Sequence, residues 1–446
     1  MIAVLRHTQF RRLFSAQIVA LVGTGLATVA LALLAYDLAG PQAGAVLGTA
    51  LAIKMTVYVL LAPLAGAFVP PAWRKPVLIA LDLVRAGVAL TLPFVTEIWQ
   101  VYLLIGLLQS ASACFTPLFQ SVIPQILTEE RDYTQALSLS RLAYDLESLL
   151  SPALAAALLT LISFHGLFAG TSLGFVVSAL LVVSTTFPIV GSTQSAGSPY
   201  ARAFRGMRIY LRTPRLRGLL ALNLCAAAGG AMVFVNTVVV VRNQLQGGDR
   251  EVAWALAAFG CGSMLVALLL PKLLDRVSDR RIMLTAGSVM GLALVVATGF
   301  WQLVNGQVSW WFVIPVWTVL GMAYAGLVTP GGRLLRRSAQ AEDLPFLFAA
   351  QFSLSHACWL LAYPLAGYVG ARFGLGVALF ALEILALIGI VVAWRTWPKY
   401  DPSVIPHEHP DLAPDHPHWK EHLPREGERQ HAHAYVIDAN HQRWPH

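Results

Sequence analysis

Charge is what this chain has least of. Of its 446 residues only 12% are Asp, Glu, Lys or Arg, while 57% are apolar; a soluble domain carries roughly 25% charged residues. So few charges cannot shield so much apolar surface from water, which argues against a soluble enzyme. A lipid-facing protein has no need of that shield. Cysteine is scarce as well. Cys114, Cys225, Cys261 and Cys358 lie far apart inside apolar runs, without CxxC spacing or a secreted disulfide pattern, and read as small packed thiols. No P-loop, nucleophile motif or HExxH occurs, so neither an ATPase nor a hydrolase is indicated. A short leader core with an A-x-A-like cleavage site is missing too. The run from Leu13 to Tyr36 is instead long enough to span a bilayer, which takes about 20 residues.

Apolar runs of spanning length then recur: 13–36, 45–69, 76–96, 100–126, 134–163 and 166–188, followed by 216–241, 252–274, 282–303, 308–330, 345–370 and 375–397. In hydrocarbon each must satisfy its own backbone hydrogen bonds, so these are helices. The expected fold is an all-α membrane protein of twelve transmembrane helices in two six-helix halves. Residues 1–190 form the first half, 191–214 a central loop, 215–399 the second half and 400–446 a tail. Transporters so divided place substrate near the bilayer midplane between the halves.

Basic residues set the orientation. With the N-terminus cytoplasmic, the inside segments hold 19 Lys/Arg, six of them in the central loop (Arg202, Arg205, Arg208, Arg212, Arg215, Arg217). The outside loops hold only Arg242, Arg250 and Arg372. The formal net charge of +8 is therefore a topology signal and not a nucleic-acid footprint. The expected location is the inner membrane, multi-pass, with both termini cytoplasmic. The expected partners are the lipid bilayer, protons and a small-molecule or metal-ion substrate, for a monomer without a cofactor.

The loop Pro271-Lys-Leu-Leu-Asp275-Arg276-Val-Ser-Asp279-Arg280-Arg281 resembles the G-x-x-x-D-R-x-G-R-R loop of the major facilitator superfamily. It keeps Asp275, Arg276, Arg280 and Arg281, and has Pro271 and Ser278 where the family has Gly. The equivalent loop of the first half keeps Gly66 and the pair Arg74-Lys75, with Pro70 in place of the acid. The resemblance implies a conformational latch formed by Asp275, Arg276, Arg280, Arg281 and Gly66. The stretch Phe115-Thr-Pro117 through Ser140, with Ser151-Pro152, is similar to the siderophore-, macrolide- and nickel-exporting branch. Tyr363-Pro364-Leu-Ala-Gly367 is the expected repeat partner of Ser151-Pro152. Proline inside a helix removes one backbone bond and kinks it.

Ionisable residues inside spans are costly and mark function by default. Lys54 sits within span two. Asp82 and Arg85 are three apart on span three, a spacing at which helical side chains meet. Span five carries Arg141, Asp145 and Glu147; Arg141 and Asp145 can pair, which leaves Glu147 without a local partner. Glu383 is alone in span twelve. A proton-coupled antiporter needs a buried carboxylate for which proton and substrate compete. Glu147 and Asp145 are the first candidates, Asp82 and Glu383 the next, with Arg141 and Lys54 beside the path. Asn223, Asn236, Tyr324 and His356 are further candidates to line it, although a lone His356 also suits plain packing. Asp82–Arg85 also reads as a structural pair.

The tail differs from all that precedes it. Nine of the chain's twelve histidines follow Tyr400. His407, His409, His416, His418, His422, His431 and His433, among carboxylates and without cysteine, suit borderline divalent ions such as nickel or cobalt. Five prolines between Pro402 and Pro417 keep the segment from forming a helix, and the stretch from His433 onward is complex enough to dock on the body. The tail resembles the His-rich C-terminus of nickel-resistance exporters in the same superfamily. The leading expectation is proton-coupled efflux of a divalent transition metal, nickel before cobalt. The alternatives are an exporter of a siderophore, drug or other amphipathic molecule, and a membrane metal sensor or scaffold.

Overall fold

In the computed structural model of the chain the described residues are 2–69, 71–127, 129, 132, 135–136, 139–140, 143, 147, 151, 153–187, 199–274, 276–340, 343–402, 404–408, 430–437, 441 and 444. They are overwhelmingly helical, as backbone placed in hydrocarbon must be. The first group of long helices is α1 (Thr8–Ala39), α2 (Ala43–Phe68), α3 (Arg74–Thr91), α4 (Ile98–Ile126) and α5 (Phe164–Val183). A shorter helix, α6 (Pro199–Arg212), precedes the second group: α7 (Pro214–Val239), α8 (Asp249–Leu274), α9 (Asp279–Leu303), α10 (Trp310–Val328), α11 (Leu344–Pro364) and α12 (Leu375–Thr396). Among the described residues ten stretches are long and apolar enough to cross a membrane, and the first of them, Thr8–Leu61, contains α1 and most of α2. Between α4 and α5 the described residues from 135 to 158 are helical as well. Among them Ala136, Ser140, Ala143, Glu147 and Ser151 recur every three or four positions, which places them along one helix face.

Local sequence explains the breaks. Gly40 takes φ +52, a conformation that suits glycine, and Pro41 starts the next turn. Gly374, at φ +91, separates α12 from the helix before it. The entry to α4 is a capping box: Gln100 Oε1 accepts the Glu97 backbone N–H at 3.0 Å. A π-helical turn, Leu365–Val369, follows Pro364, since the proline supplies no N–H to the ladder.

Within the first group α1 packs on α5, α2 on α4, and α3 on α4 and α5. Within the second α7 packs on α12, α8 on α10, and α9 on α10 and α12. Among the described residues the groups meet mainly where α2 lies along α11 and its π-turn. Glycine makes that approach possible. A Cβ at Gly367 would fall 2.2 Å from the Gly44 carbonyl oxygen, and one at Gly48 would fall 2.8 Å from that of Tyr363. The end of the bundle carrying α6, the α8–α9 loop and residues 331–340 is the basal face, and the other end the distal face.

Two features of the sequence that read as loop or tail are structured. Residues 199–212 form α6, because Gly206, Ile209 and Tyr210 recur at helical spacing and give it one buried stripe against α11. In the tail, Val404–Glu408 pairs antiparallel with Gln430–Ala434. This two-stranded hairpin is the one sheet among the described residues. Past it the chain folds onto the body, with Tyr435, Ile437 and His441 buried, as the composition from His433 onward suggested.

Candidate functional site

A narrow cavity opens among α1, α2, α4 and α5. Thr24, Thr28, Lys54, Gln109 and Ser112 give it polar walls, and Leu31, Leu51 and Phe175 give it apolar ones. Its water-accessible space is about 20 Å³, the scale of one water. Thr24 and Thr28 turn their hydroxyls back onto Ala20 and Thr24 carbonyls at 3.0 and 3.1 Å, as helical threonines do. Gln109 behaves differently. Its Oε1 is buried with no hydrogen-bond partner, a cost tolerated where a ligand or water can supply the donor.

Lys54 in the cavity wall has a counter-charge. Lys54 of α2 and Glu147 of the segment between α4 and α5 interact electrostatically, although 93 residues separate them in the chain (147 − 54). Glu147 also lies close to α1: a Cβ at Gly25 would fall 3.1 Å from Glu147 Oε1 and 1.8 Å from Ser151 Oγ. Glycine at position 25 therefore lets the Glu147–Ser151 face press onto α1. The sequence had left Glu147 without a partner because the partner is tertiary.

One turn from Lys54 toward the basal face is Tyr58, whose ring centroid is 5.8 Å from the Lys54 ammonium. Tyr58 stacks on Phe352 at 5.6 Å and His356 at 5.3 Å, both on α11. His356 Nδ1 is 2.6 Å from the Phe352 carbonyl oxygen. This aromatic contact joins the two helix groups on the basal side of Lys54. On the distal side Tyr36 O–H donates to Asn243 Oδ1 at 2.6 Å, and the Arg250 guanidinium donates to the Leu159 and Thr160 carbonyls at 3.3 Å. A second aromatic cluster runs through α7, α8, α10 and α11, with Trp359 ring centroids 5.9 Å from Phe234, 6.2 Å from Tyr324 and 5.0 Å from Tyr363.

Asp82 and Arg85 form a buried ion pair on α3. Ser178 of α5 donates to Asp82 Oδ2 at 2.8 Å, and the Arg85 guanidinium lies between the rings of Phe115 (4.0 Å) and Phe175 (4.5 Å). The pair thus joins α3, α4 and α5. Glu383 is half-buried on α12 and is not among the residues lining the cavity. Asn236 Nδ2 donates to the Ala366 carbonyl at 3.0 Å, which fixes the π-turn. Asn223 is buried with its Nδ2 unsatisfied. Arg141 and Asp145 lie outside the described residues.

At the basal face the acid engaged by arginines is Asp279, at the start of α9. Buried at 3% exposure, it accepts from Arg337 at 3.0 Å and faces Arg333 at 3.5 Å. A carboxylate at a helix N-terminus also suits the helix dipole. Arg280 donates to the Trp397 carbonyl at 3.0 Å, which ties α9 to the end of α12. Arg276 and Arg281 are exposed, Gly66 sits in α2, and Asp275 lies outside the described residues. Asp401 closes the network: its carbonyl accepts from Arg337 at 3.2 Å and its carboxylate is 3.6 Å from the fully buried Arg215. The Trp444 ring centroid lies 4.8 Å from the same guanidinium.

Of the tail histidines, His407 stands opposite His431 in the hairpin register. The rings of His433 and His441 are 5.0 Å apart. His409, His416, His418 and His422 lie outside the described residues. Among the described residues no group of three or more His, Cys, Asp or Glu is placed to hold a metal ion.

The sequence matches the Major Facilitator Superfamily over residues 13–247 and 219–427. It is 23% identical over 344 residues to an uncharacterized MFS-type transporter, YfiS of Bacillus subtilis, covering 75% of this chain and 80% of that one. It is 23% identical over 381 residues to macrolide efflux protein A of Streptococcus pyogenes, covering 82% and 89%. Among solved structures it superposes on the nucleoside transporter NupG with a TM-score of 0.66 at 12% identity, over 86% of this chain and 98% of that one. A bacterial homologue of the human lysosomal transporter Spinster, inward-facing and unoccupied, gives 0.63 at 13% identity, over 89% and 99%.

Proposed function

As the chain belongs to the major facilitator superfamily, we propose that it is a proton-coupled exporter of an amphipathic organic molecule, with Glu147 as proton acceptor and Lys54 as its partner. The observation that carries this reading is the electrostatic interaction of those two charges, with Lys54 in the wall of the cavity. A lysine or a glutamate alone in hydrocarbon is costly, whereas the pair is tolerated. A proton on Glu147 removes its charge and leaves Lys54 without a counter-charge. That change favours a different seating of α2 against α1 and α11, so proton arrival and helix movement are coupled. Release of the proton on the other side restores the pair.

The cavity walls favour an organic cargo over a bare cation. Leu31, Leu51 and Phe175 offer apolar contact, and Gln109, Ser112 and the threonines offer a few oriented polar groups, the usual make-up of a small-molecule site. Lys54 repels a divalent ion. The export direction draws on the likeness to macrolide efflux protein A. The basal face is taken as cytoplasmic because it holds nearly all the loop arginines, which puts both chain ends inside and the bundle in the inner membrane.

Efflux of nickel or cobalt is the second reading, favoured by the register that sets His407 against His431 in the hairpin. The two readings separate in accumulation assays. Cells making the full chain should accumulate less of a macrolide or a neutral amphipathic dye than empty cells, and a Glu147→Gln variant should lose that difference. Radiolabelled nickel should accumulate equally in both. Lower nickel in cells making the full chain, abolished by His407→Ala with His431→Ala, would replace the organic reading with the metal one. Flux of neither cargo would turn attention to a sensor or scaffold.

A further inference from the structure

The polar groups of the cavity come in pairs. Thr24 and Thr28 are four apart on α1, and Gln109 and Ser112 are three apart on α4; both spacings put two side chains on one helix face. A hydroxyl has one proton to give. Thr24 gives its proton to the Ala20 carbonyl and Thr28 gives its own to the Thr24 carbonyl, so each threonine oxygen can only accept from the cavity. Gln109 is 8% exposed, and its amide oxygen is buried without a donor. Ser112 can act in either sense. Three oxygens lining one small space therefore have accepting capacity to spare.

We propose that Gln109, with Thr24 and Thr28, selects cargo by its hydrogen-bond donor, and that the cargo is a neutral amphipathic molecule carrying a hydroxyl or an amide N–H. This rests on the exporter reading and narrows its cargo. A water fitting this space would donate to the idle oxygens. A cargo that displaces it without bringing a donor of its own leaves them stranded in a buried site, which costs affinity.

The rest of the wall sets the remainder of the class. Leu31, Leu51 and Phe175 meet the hydrocarbon part of the cargo. Lys54 is the one charged residue among the described residues lining the cavity, and its ammonium opposes a second ammonium as the donor. A carboxylate on the cargo would bring lone pairs against the lone pairs of the three oxygens. A hydroxyl or an amide N–H supplies the donor without either conflict.

Borneol, camphor and bornylamine test this on one hydrocarbon cage, which carries a hydroxyl, a ketone and, at neutral pH, an ammonium. Each is given to cells making the full chain and to empty cells, and the retained compound is measured by gas chromatography. The full chain should lower borneol and leave camphor and bornylamine near the empty-cell level. The purified full chain should bind borneol about tenfold more tightly than camphor, the factor that one buried hydrogen bond supplies. Gln109→Met, close in size, should bind the two alike, and Thr28→Val should narrow the gap in part. Equal or greater export of camphor, or an undiminished borneol preference in both variants, would overturn the donor rule and leave the exporter reading standing. Stronger export of bornylamine would overturn the neutral class. If only erythronolide B is exported, a neutral polyhydroxylated macrolactone, its binding should weaken about tenfold in Gln109→Met, and unchanged binding would overturn the proposal. Export of no organic compound would overturn the exporter reading and this inference with it. Melting temperatures measured in parallel separate loss of selectivity from loss of fold.

Discussion

At residue scale, the close approach of Gly25 and Ser151 decides whether Glu147 can reach its place. A methyl group at position 25 would overlap Ser151, and the overlap involves the β-carbon, which a rotamer change cannot relieve. Gly25→Ala should therefore abolish transport, and adding Ser151→Gly should restore a measurable fraction of it. Failure of the second change to rescue would mean that α1 and the Glu147 segment do not pack as described. Asp82 predicts a different phenotype. Its carboxylate binds Arg85 and Ser178 within a bonded and aromatic-walled site, and removing one partner of a buried pair costs about 3–5 kcal/mol. Asp82→Asn should thus lower the melting temperature in detergent sharply while leaving the pH dependence of residual transport unchanged. A shifted pH profile at normal stability would instead make Asp82 a proton site.

At element scale, the π-turn after Pro364 and the glycine seam of α2 form one device. Pro364 removes a ladder hydrogen bond, Asn236 takes up the Ala366 carbonyl, and Gly367 meets Gly44 and Gly48 backbone to backbone. Gly367→Ala would place a carbon 2.2 Å from the Gly44 oxygen, and backbone cannot yield as a flexible side chain does. The distal ends of α2 and α11 should then be held apart. In a cysteine-free background carrying Leu31→Cys, a membrane-impermeant maleimide should label the cavity from the distal face faster in Gly367→Ala than in its parent. Equal rates would show that this seam does not close that face.

At the scale of the whole molecule, the tail belongs to the body. Asp401 and Trp444 flank Arg215, which is 1% exposed and buries a charge whose Nε, Nη1 and Nη2 make no hydrogen bond. Asp401→Asn removes the facing carboxylate and should cost about 3 kcal/mol, read as a loss of thermal stability in detergent. Arg215→Met together with Asp401→Asn should recover most of it. An unaltered melt in Asp401→Asn would show that the contact contributes nothing to stability. Ending the chain at Tyr400 is for the same reason a poor probe of the histidines, since it strands Arg215. Substituting His407 and His431 leaves that anchor in place.

The sequence determined by itself that this is a polytopic helical membrane protein, and why: apolar runs of spanning length have no other way to satisfy their backbone in lipid. It also determined the costly residues, since any charge inside such a run stands out. What it could not determine is which charges meet. Asp82 and Arg85 were legible as a pair because three residues on one helix bring them to one side. Lys54 and Glu147 each lacked a local partner, and that shared lack of opposite sign was the available signal. Only the tertiary fold brings them within electrostatic reach of each other. The same holds at the basal face, where the motif pointed to Arg280 and its neighbours but tertiary contact selected Asp279 as the acid that holds Arg333 and Arg337. Local spacing fixes what one helix can do with itself. Contacts between helices depend on where glycine permits approach, at Gly25, Gly48 and Gly367, and the spacing of residues along one helix does not specify which other helix each glycine will meet.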